Sequence, residues 1–176
     1  IELLEALAEI PGPAIPVFTN GLLADDRFLN LTSRSGIIPI FSIEGDAAFT
    51  EGRRGRGIHE KVFMNVAELK KRGAIFGFSV TLTKTNTDSV LSEKFLREIE
   101  KTGASVLFLI EYVPVAPGTE DQILSDSQKA DLSREGRFDK YSFMSVSLPG
   151  DEEAFGGCLA AGRGFIHIAD DGALEA

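Results

Sequence analysis

The chain has 176 residues, 43% of them hydrophobic, and its 27 acidic against 18 basic side chains give a formal charge of −9. That length and apolar content predict one domain with one packed core, while an acidic field repels phosphate backbones and anionic lipid, so neither nucleic acid nor membrane is an expected partner. The longest apolar runs, such as 106–110, fall far short of the roughly 20 residues of a membrane-spanning helix, and a single cysteine excludes an intrachain disulfide framework and fits a reducing cytoplasm, the expected location.

The sequence opens at Ile1 inside an apolar helical repeat of Leu3, Leu4, Leu7 and Ile10, without an initiator Met or a signal-peptide pattern, and closes on 172–176 without a stop signal. The expectation is an internal piece of a longer protein, or a chain from which residues are missing. Apolar, β-branched runs then alternate with stretches of helical spacing, which is the α/β signature. Strands are predicted at 14–19, 37–43, 75–83, 105–113, 141–148 and 165–168, most of them apolar at consecutive positions as parallel strands buried on both faces are. Between them, Ile58, Val62, Val66 and Leu69 mark one face of a helix that Gly73 ends, and 88–101 carries Leu91, Phe95 and Ile99 on its inner stripe with Gly103 beyond. The segment 114–140 reads as loop with a short helix over 122–132. A strand-helix unit of about 30 residues predicts right-handed βαβ connections and a parallel, partial TIM-type (β/α) barrel. It is expected over 1–148, with 149–176 a short Gly-rich C-terminal subregion built on turns.

Polar residues that follow an apolar strand point at the carboxyl-end face where such sheets bind ligands. Asn20, in Thr19-Asn20-Gly21, is one; the same pair also makes a simple turn. Ser42 and Glu44 alternate onto one face at the next strand end, where a hydroxyl and a carboxylate suit a sugar diol, or form a solvated terminus. Arg53, Arg54 and Arg56, set among Gly52, Gly55 and Gly57 just before the helix that begins near Ile58, suit a carboxylate or phosphate at a helix N-terminus. Their alternative is pairing with Glu44, Asp46 or Glu51. The missing Gly-Lys-Ser/Thr ending excludes a P-loop. Glu111, late in an apolar strand, needs an arginine or a ligand as partner. His59 reads as an exposed or capping side chain and His167 as strand packing; two histidines do not make a His-based metal centre.

Taken in order, Thr19-Asn20-Gly21, Ser42-Ile43-Glu44-Gly45-Asp46, Arg53-Arg54-Gly55-x-Gly57, and Gly77-Phe78-Ser79-Val80-Thr81 with Asn86 resemble the later part of the radical S-adenosylmethionine (radical SAM) barrel. Cys158, followed after 13 residues by Gly172 and then by four residues to the end, resembles the start of the SPASM-like auxiliary iron–sulfur region of one subgroup, whose second cysteine would fall one position later. The Cys-x3-Cys-x2-Cys loop that holds the catalytic [4Fe-4S] cluster and the Gly-Gly-Glu segment that binds the methionyl amine are absent and would lie upstream of Ile1, so this stretch alone cannot cleave the cofactor. The resemblance implies S-adenosyl-L-methionine as cofactor, with Ser42 at the ribose, Arg54 at the carboxylate and Asn20 on the adjacent strand end. Glu44, Arg53 and Glu111 join them as expected cofactor-site residues, and Cys158 as the expected metal ligand.

The function so implied is part of an iron–sulfur oxidoreductase that reductively cleaves S-adenosylmethionine to a 5′-deoxyadenosyl radical for hydrogen abstraction. It would act on a small-molecule or peptide substrate with a reducing electron donor. Two other readings stand beside it: a phosphate-binding (β/α) barrel aldolase or isomerase gripping phosphate with the arginine loop, without an evident Schiff-base lysine, and a non-catalytic barrel that serves as a binding module.

Overall fold

The structure is a computed structural model that describes residues 1–114, 117–148, 167–169 and 171–175. Element order is α1 (Glu2–Ala8), β1 (Ile15–Thr19), α2 (Asp26–Thr32), β2 (Ile37–Ile43), α3 (Ala47–Arg54), α4 (Ile58–Lys71), β3 (Gly77–Leu82), α5 (Thr87–Val90), α6 (Glu93–Thr102), β4 (Val106–Glu111), α7 (Asp126–Leu132) and β5 (Met144–Leu148). The five strands form one sheet in the order β1-β2-β3-β4-β5, parallel at every pairing. The α/β expectation and the parallel partial barrel are thereby met. A separate antiparallel pair joins β6 (His167–Ile168) to β7 (Leu174–Glu175); of the expected strand 165–168, the first two positions lie outside the described residues, as does Cys158.

Strand alternation sorts the sheet into two faces. Phe41 and Ile43 of β2, Phe78, Val80 and Leu82 of β3, and Leu107 and Leu109 of β4 enter the core together with Val62, Val66 and Leu69 of α4 and Phe95, Leu96 and Ile99 of α6. Each such fully buried apolar side chain contributes about 1.5–3 kcal/mol, so this helix-covered face holds the fold. The other, concave face carries Ser42, Ser79 and Phe108 in register and Phe18, whose Cα partner is Ile40, with Phe18 and Phe108 edge to face at 5.2 Å. Phe18 remains 49% exposed and Met144 62%, so this face is an open apolar surface. Gly77 sets the β3–β4 approach: a Cβ there would lie 2.4 Å from Val106 Cγ1 and 2.6 Å from Val106 O.

Most departures from the sequence reading have local causes. The predicted helix 88–101 is two, because Ser92 turns extended (ψ 146) and caps α6 by accepting from the Phe95 N–H. The predicted helix 122–132 begins at Asp126, where Ser125 and Gln128 form a reciprocal capping box. Helices α2 and α3 occupy segments to which the sequence reading assigned no element, each begun by an aspartate cap, Asp25 accepting from Phe28 N and Asp46 from Phe49 N. Tyr141 and Phe143, expected in the last strand, precede β5 and stack in the core at 5.3 Å. Among the described residues no helix is long and apolar enough to cross a membrane.

Candidate functional site at the carboxyl ends of the strands

Glu44 follows β2 directly, and its side chain is only 4% exposed. A buried carboxylate requires partners, and α3 supplies two. Arg53 donates Nη1–H to Oε2 at 2.7 Å, while Arg54 donates Nε–H to Oε1 at 2.8 Å and places Nη2 at 2.6 Å from the same oxygen. This corrects the reading of the arginine cluster as a loop opening the following helix. Arg53 and Arg54 end α3, where cations complement the carbonyl end of the dipole, and both pair with Glu44, the alternative that the sequence left open for them. Arg53, Arg54 and Glu44 together carry one net positive charge.

The backbone of Glu44 is held as firmly as its side chain. Its N–H donates to Thr50 Oγ1 at 3.1 Å, and its carbonyl accepts from Asn86 Nδ2 at 2.9 Å. Asn86 also donates to Thr81 O at 2.9 Å and accepts from Thr83 N at 2.7 Å. One buried amide thus binds the ends of β2 and β3, a role that the sequence reading did not assign to it. On the concave face beside this anchor, Ser42 and Ser79 are Cα partners with their hydroxyls 3.1 Å apart.

Of the remaining expected residues, Asn20 follows Thr19, the partner of Phe41, at the neighbouring strand end, and Glu111 separates. Asn20 is exposed, and its Oδ1 accepts from Leu22 N at 3.1 Å, closing the turn in which Gly21 takes φ +72°. Its amide nitrogen stays available at the β1 end. Glu111 pairs in register with Leu82, whose side chain is in the core, so alternation sets Glu111 on the helix-covered side of the sheet, opposite Ser42 and Ser79. The expected convergence of Glu111 with Ser42 does not occur. His59 stacks on Phe63 at 4.2 Å.

A cleft of about 370 Å³ opens beside the Glu44 anchor, lined by Glu44, Arg53, Ala48 and Phe49 on one side and by Thr83, Thr85, Asn86, Tyr112 and Gln122 on the other. Thr83, Thr85 and Tyr112 follow the ends of β3 and β4, so the strand-end rule that selected Asn20 would have selected them too. Among the described residues no group of three His, Cys, Asp or Glu side chains can hold a metal ion.

No protein-family model matches the sequence, and no protein of curated function matches it. Among solved structures the fold is similar to Streptococcus suis SuiB bound to S-adenosylmethionine, at 16% identity and a TM-score of 0.74, over 99% of this chain and 44% of that one. It is similar to SuiB bound to precursor peptide SuiA at 16% identity and a TM-score of 0.65, over 88% of this chain and 36% of that one. With anSMEcpe with bound AdoMet the identity is 17% and the TM-score 0.55, over 67% of this chain and 34% of that one. The chain spans less than half the length of these proteins, and the likeness at such identities is one of fold, the partial TIM-type barrel.

Proposed function

We propose that this chain is the later part of a radical SAM barrel that binds S-adenosylmethionine on its concave face and, in the complete protein, acts on a peptide or small molecule with electrons from a reducing donor. The observation that carries this reading is that the end of β2 bears both groups: the Ser42 hydroxyl pairs with that of Ser79 on β3, and Glu44, two positions on, holds Arg54 of α3. The likeness in fold to SuiB bound to S-adenosylmethionine supports it. The donor set fits that cofactor: hydroxyls suit ribose oxygens, the Phe18 and Phe108 rings offer an apolar surface to a nucleobase, and a guanidinium with unspent N–H donors suits a carboxylate. When bound, the cofactor supplies hydrogen-abstracting radical chemistry. Ser42 and Arg54 would orient it, Glu44 would keep Arg54 in one rotamer, and Asn20 would close the adjacent strand end.

The described residues do not fit a [4Fe-4S] cluster, which needs several thiolates, so no step through a cluster is assigned to them. Cys158 is proposed as an auxiliary-cluster ligand of the complete protein. Fold likeness to SuiB bound to S-adenosylmethionine favours the cofactor-binding reading over a phosphate-gripping aldolase or isomerase, for which the sequence has no evident Schiff-base lysine.

The test is equilibrium binding of S-adenosylmethionine to the full-length protein, with its clusters reconstituted anaerobically. Arg54→Ala is expected to weaken binding about tenfold, the cost of one charge-assisted contact, and Ser42→Ala by a smaller factor. Wild-type protein that does not bind the cofactor, or an Arg54→Ala variant within twofold of wild type, would overturn the reading.

A further inference from the structure

Arg53 and Arg54 share one carboxylate yet face different surroundings. Arg54 is absent from the lining of the cleft beside Glu44, whereas Arg53 is part of it. The Arg53 side chain is 56% exposed and spends Nη1–H on Glu44 Oε2, which leaves most of the five N–H donors of a guanidinium uncommitted. Aliphatic and aromatic surface from Ala48 and Phe49 borders it. The β3–α5 connection brings Thr85, an exposed residue whose hydroxyl lies 3.0 Å from that of Thr83 and can rotate toward an incoming oxygen.

We propose that this cleft is a carboxylate-binding subsite in which Arg53 is the charged donor and Thr85 a hydroxyl donor, taking an acidic side chain or a terminal carboxylate. The proposal deepens the function proposed above, resting on it only for the identification of the carboxylate's bearer as substrate. Charge argues for a carboxylate over a phosphate. In the absence of the cofactor the Glu44–Arg53–Arg54 group carries one net positive charge, which balances a monoanion; a phosphate dianion would leave an excess negative charge in a chain whose formal charge is already −9. Size agrees, since about 370 Å³ lies within the roughly 300–1,000 Å³ of small-ligand pockets. Fixing Arg53 against Glu44 removes part of the ordering cost that a free arginine pays on binding.

Two probes separate the sources of the carboxylate: N-acetylglutamate α-amide, which has only a side-chain carboxylate, and N-acetylglycine, which has only a terminal one. Each is titrated into the full-length protein by NMR or calorimetry without S-adenosylmethionine, so that the outcome is independent of cofactor binding, which is titrated separately. At least one probe is expected to bind. Arg53→Ala should weaken it at least tenfold, Arg53→Lys less because the charge remains, and Thr85→Val about twofold or more. The proposal is overturned if neither probe binds wild type more tightly than about 10 mM, if Arg53→Ala stays within twofold of wild type, or if inorganic phosphate displaces the probe at a lower concentration than acetate does. Arg53 is half exposed at a helix end, and circular dichroism of each variant verifies that the comparison is between folded proteins.

Discussion

The side-chain amide of Asn86 donates to the main-chain carbonyl of Glu44 across 42 positions of sequence, at 2.9 Å. The contact ties the residue that gathers the two arginines to the loop that forms the far wall of the cleft, so that β2 and β3 end as one unit. Asn86→Ala would strand the Glu44 and Thr81 carbonyls and the Thr83 N–H in a site where Asn86 itself is 3% exposed. The expected loss is about 1–3 kcal/mol for each group left without a partner or water, read from the midpoint of urea unfolding. Asn86→Asp should be no milder, because a carboxylate cannot donate to either carbonyl. A midpoint within error of wild type for both variants would show that the strand ends are held by other contacts.

The two arms of the arginine clamp should differ in strength. Arg54 is 25% exposed and touches Glu44 through two nitrogens, whereas Arg53 is 56% exposed and touches it through one. Solvent screens the more exposed pair more, so double-mutant cycles with Glu44→Gln should give a coupling of about 1–2 kcal/mol for Arg54 and under about 1 kcal/mol for Arg53. Equal couplings, or the reverse order, would contradict the geometry.

Elements with long apolar signals could be read without coordinates. β2 carries Ile37, Ile38, Ile40 and Ile43, and α4 spaces Val62, Val66 and Leu69 down one buried face. Helices α2 and α3 could not be found that way, since seven and eight residues are too few for a helical period to stand out. Their aspartate caps at Asp25 and Asp46 were the remaining signal. The side of Gly55 to which Arg53 and Arg54 belong follows from where α3 ends, which tertiary packing decides. Glu111 is different: counting in twos from Leu107 and Leu109 sets it with the core-facing residues, so its separation from Ser42 was already legible. The role of Asn86 was not, because it depends on bringing two strand ends together.

Acid should weaken the attachment of the last strand. The Glu100 carboxyl is held below its ordinary range by the Arg97 guanidinium, which donates at 2.7 Å, and then by the Ser142 N–H, which donates at 2.9 Å just before β5. A carboxyl with a depressed folded-state value adds stability that is present above its unfolded value, about 4.3, and disappears as the pH falls through the folded one. Glu100→Gln should therefore lower the urea midpoint at pH 7 and narrow the gap between the midpoints at pH 7 and in the acid limb. The same pH slope in wild type and variant would mean that the linkage lies elsewhere.

Gly77 tests whether the β3–β4 approach is as tight as the backbone indicates. A methyl group at this position would meet Val106 Cγ1 at 2.4 Å, and the Val106 carbonyl oxygen at 2.6 Å. A valine side chain can turn away, but the carbonyl belongs to the neighbouring strand, so Gly77→Ala has to push β4 or tilt β3 in a core that contains Phe78 and Leu107. Overpacking of this kind costs about 1–3 kcal/mol. Gly12→Ala is the comparison: φ there is +106° but nothing lies within 4 Å, so its cost is the strain of the backbone alone. Shortening the neighbour in the double variant Gly77→Ala/Val106→Ala removes the Cγ1 contact and leaves the one to the carbonyl. It is expected to recover only part of the loss measured by thermal unfolding. Full recovery would show that the valine side chain, rather than the approach of the two strands, requires glycine at this position.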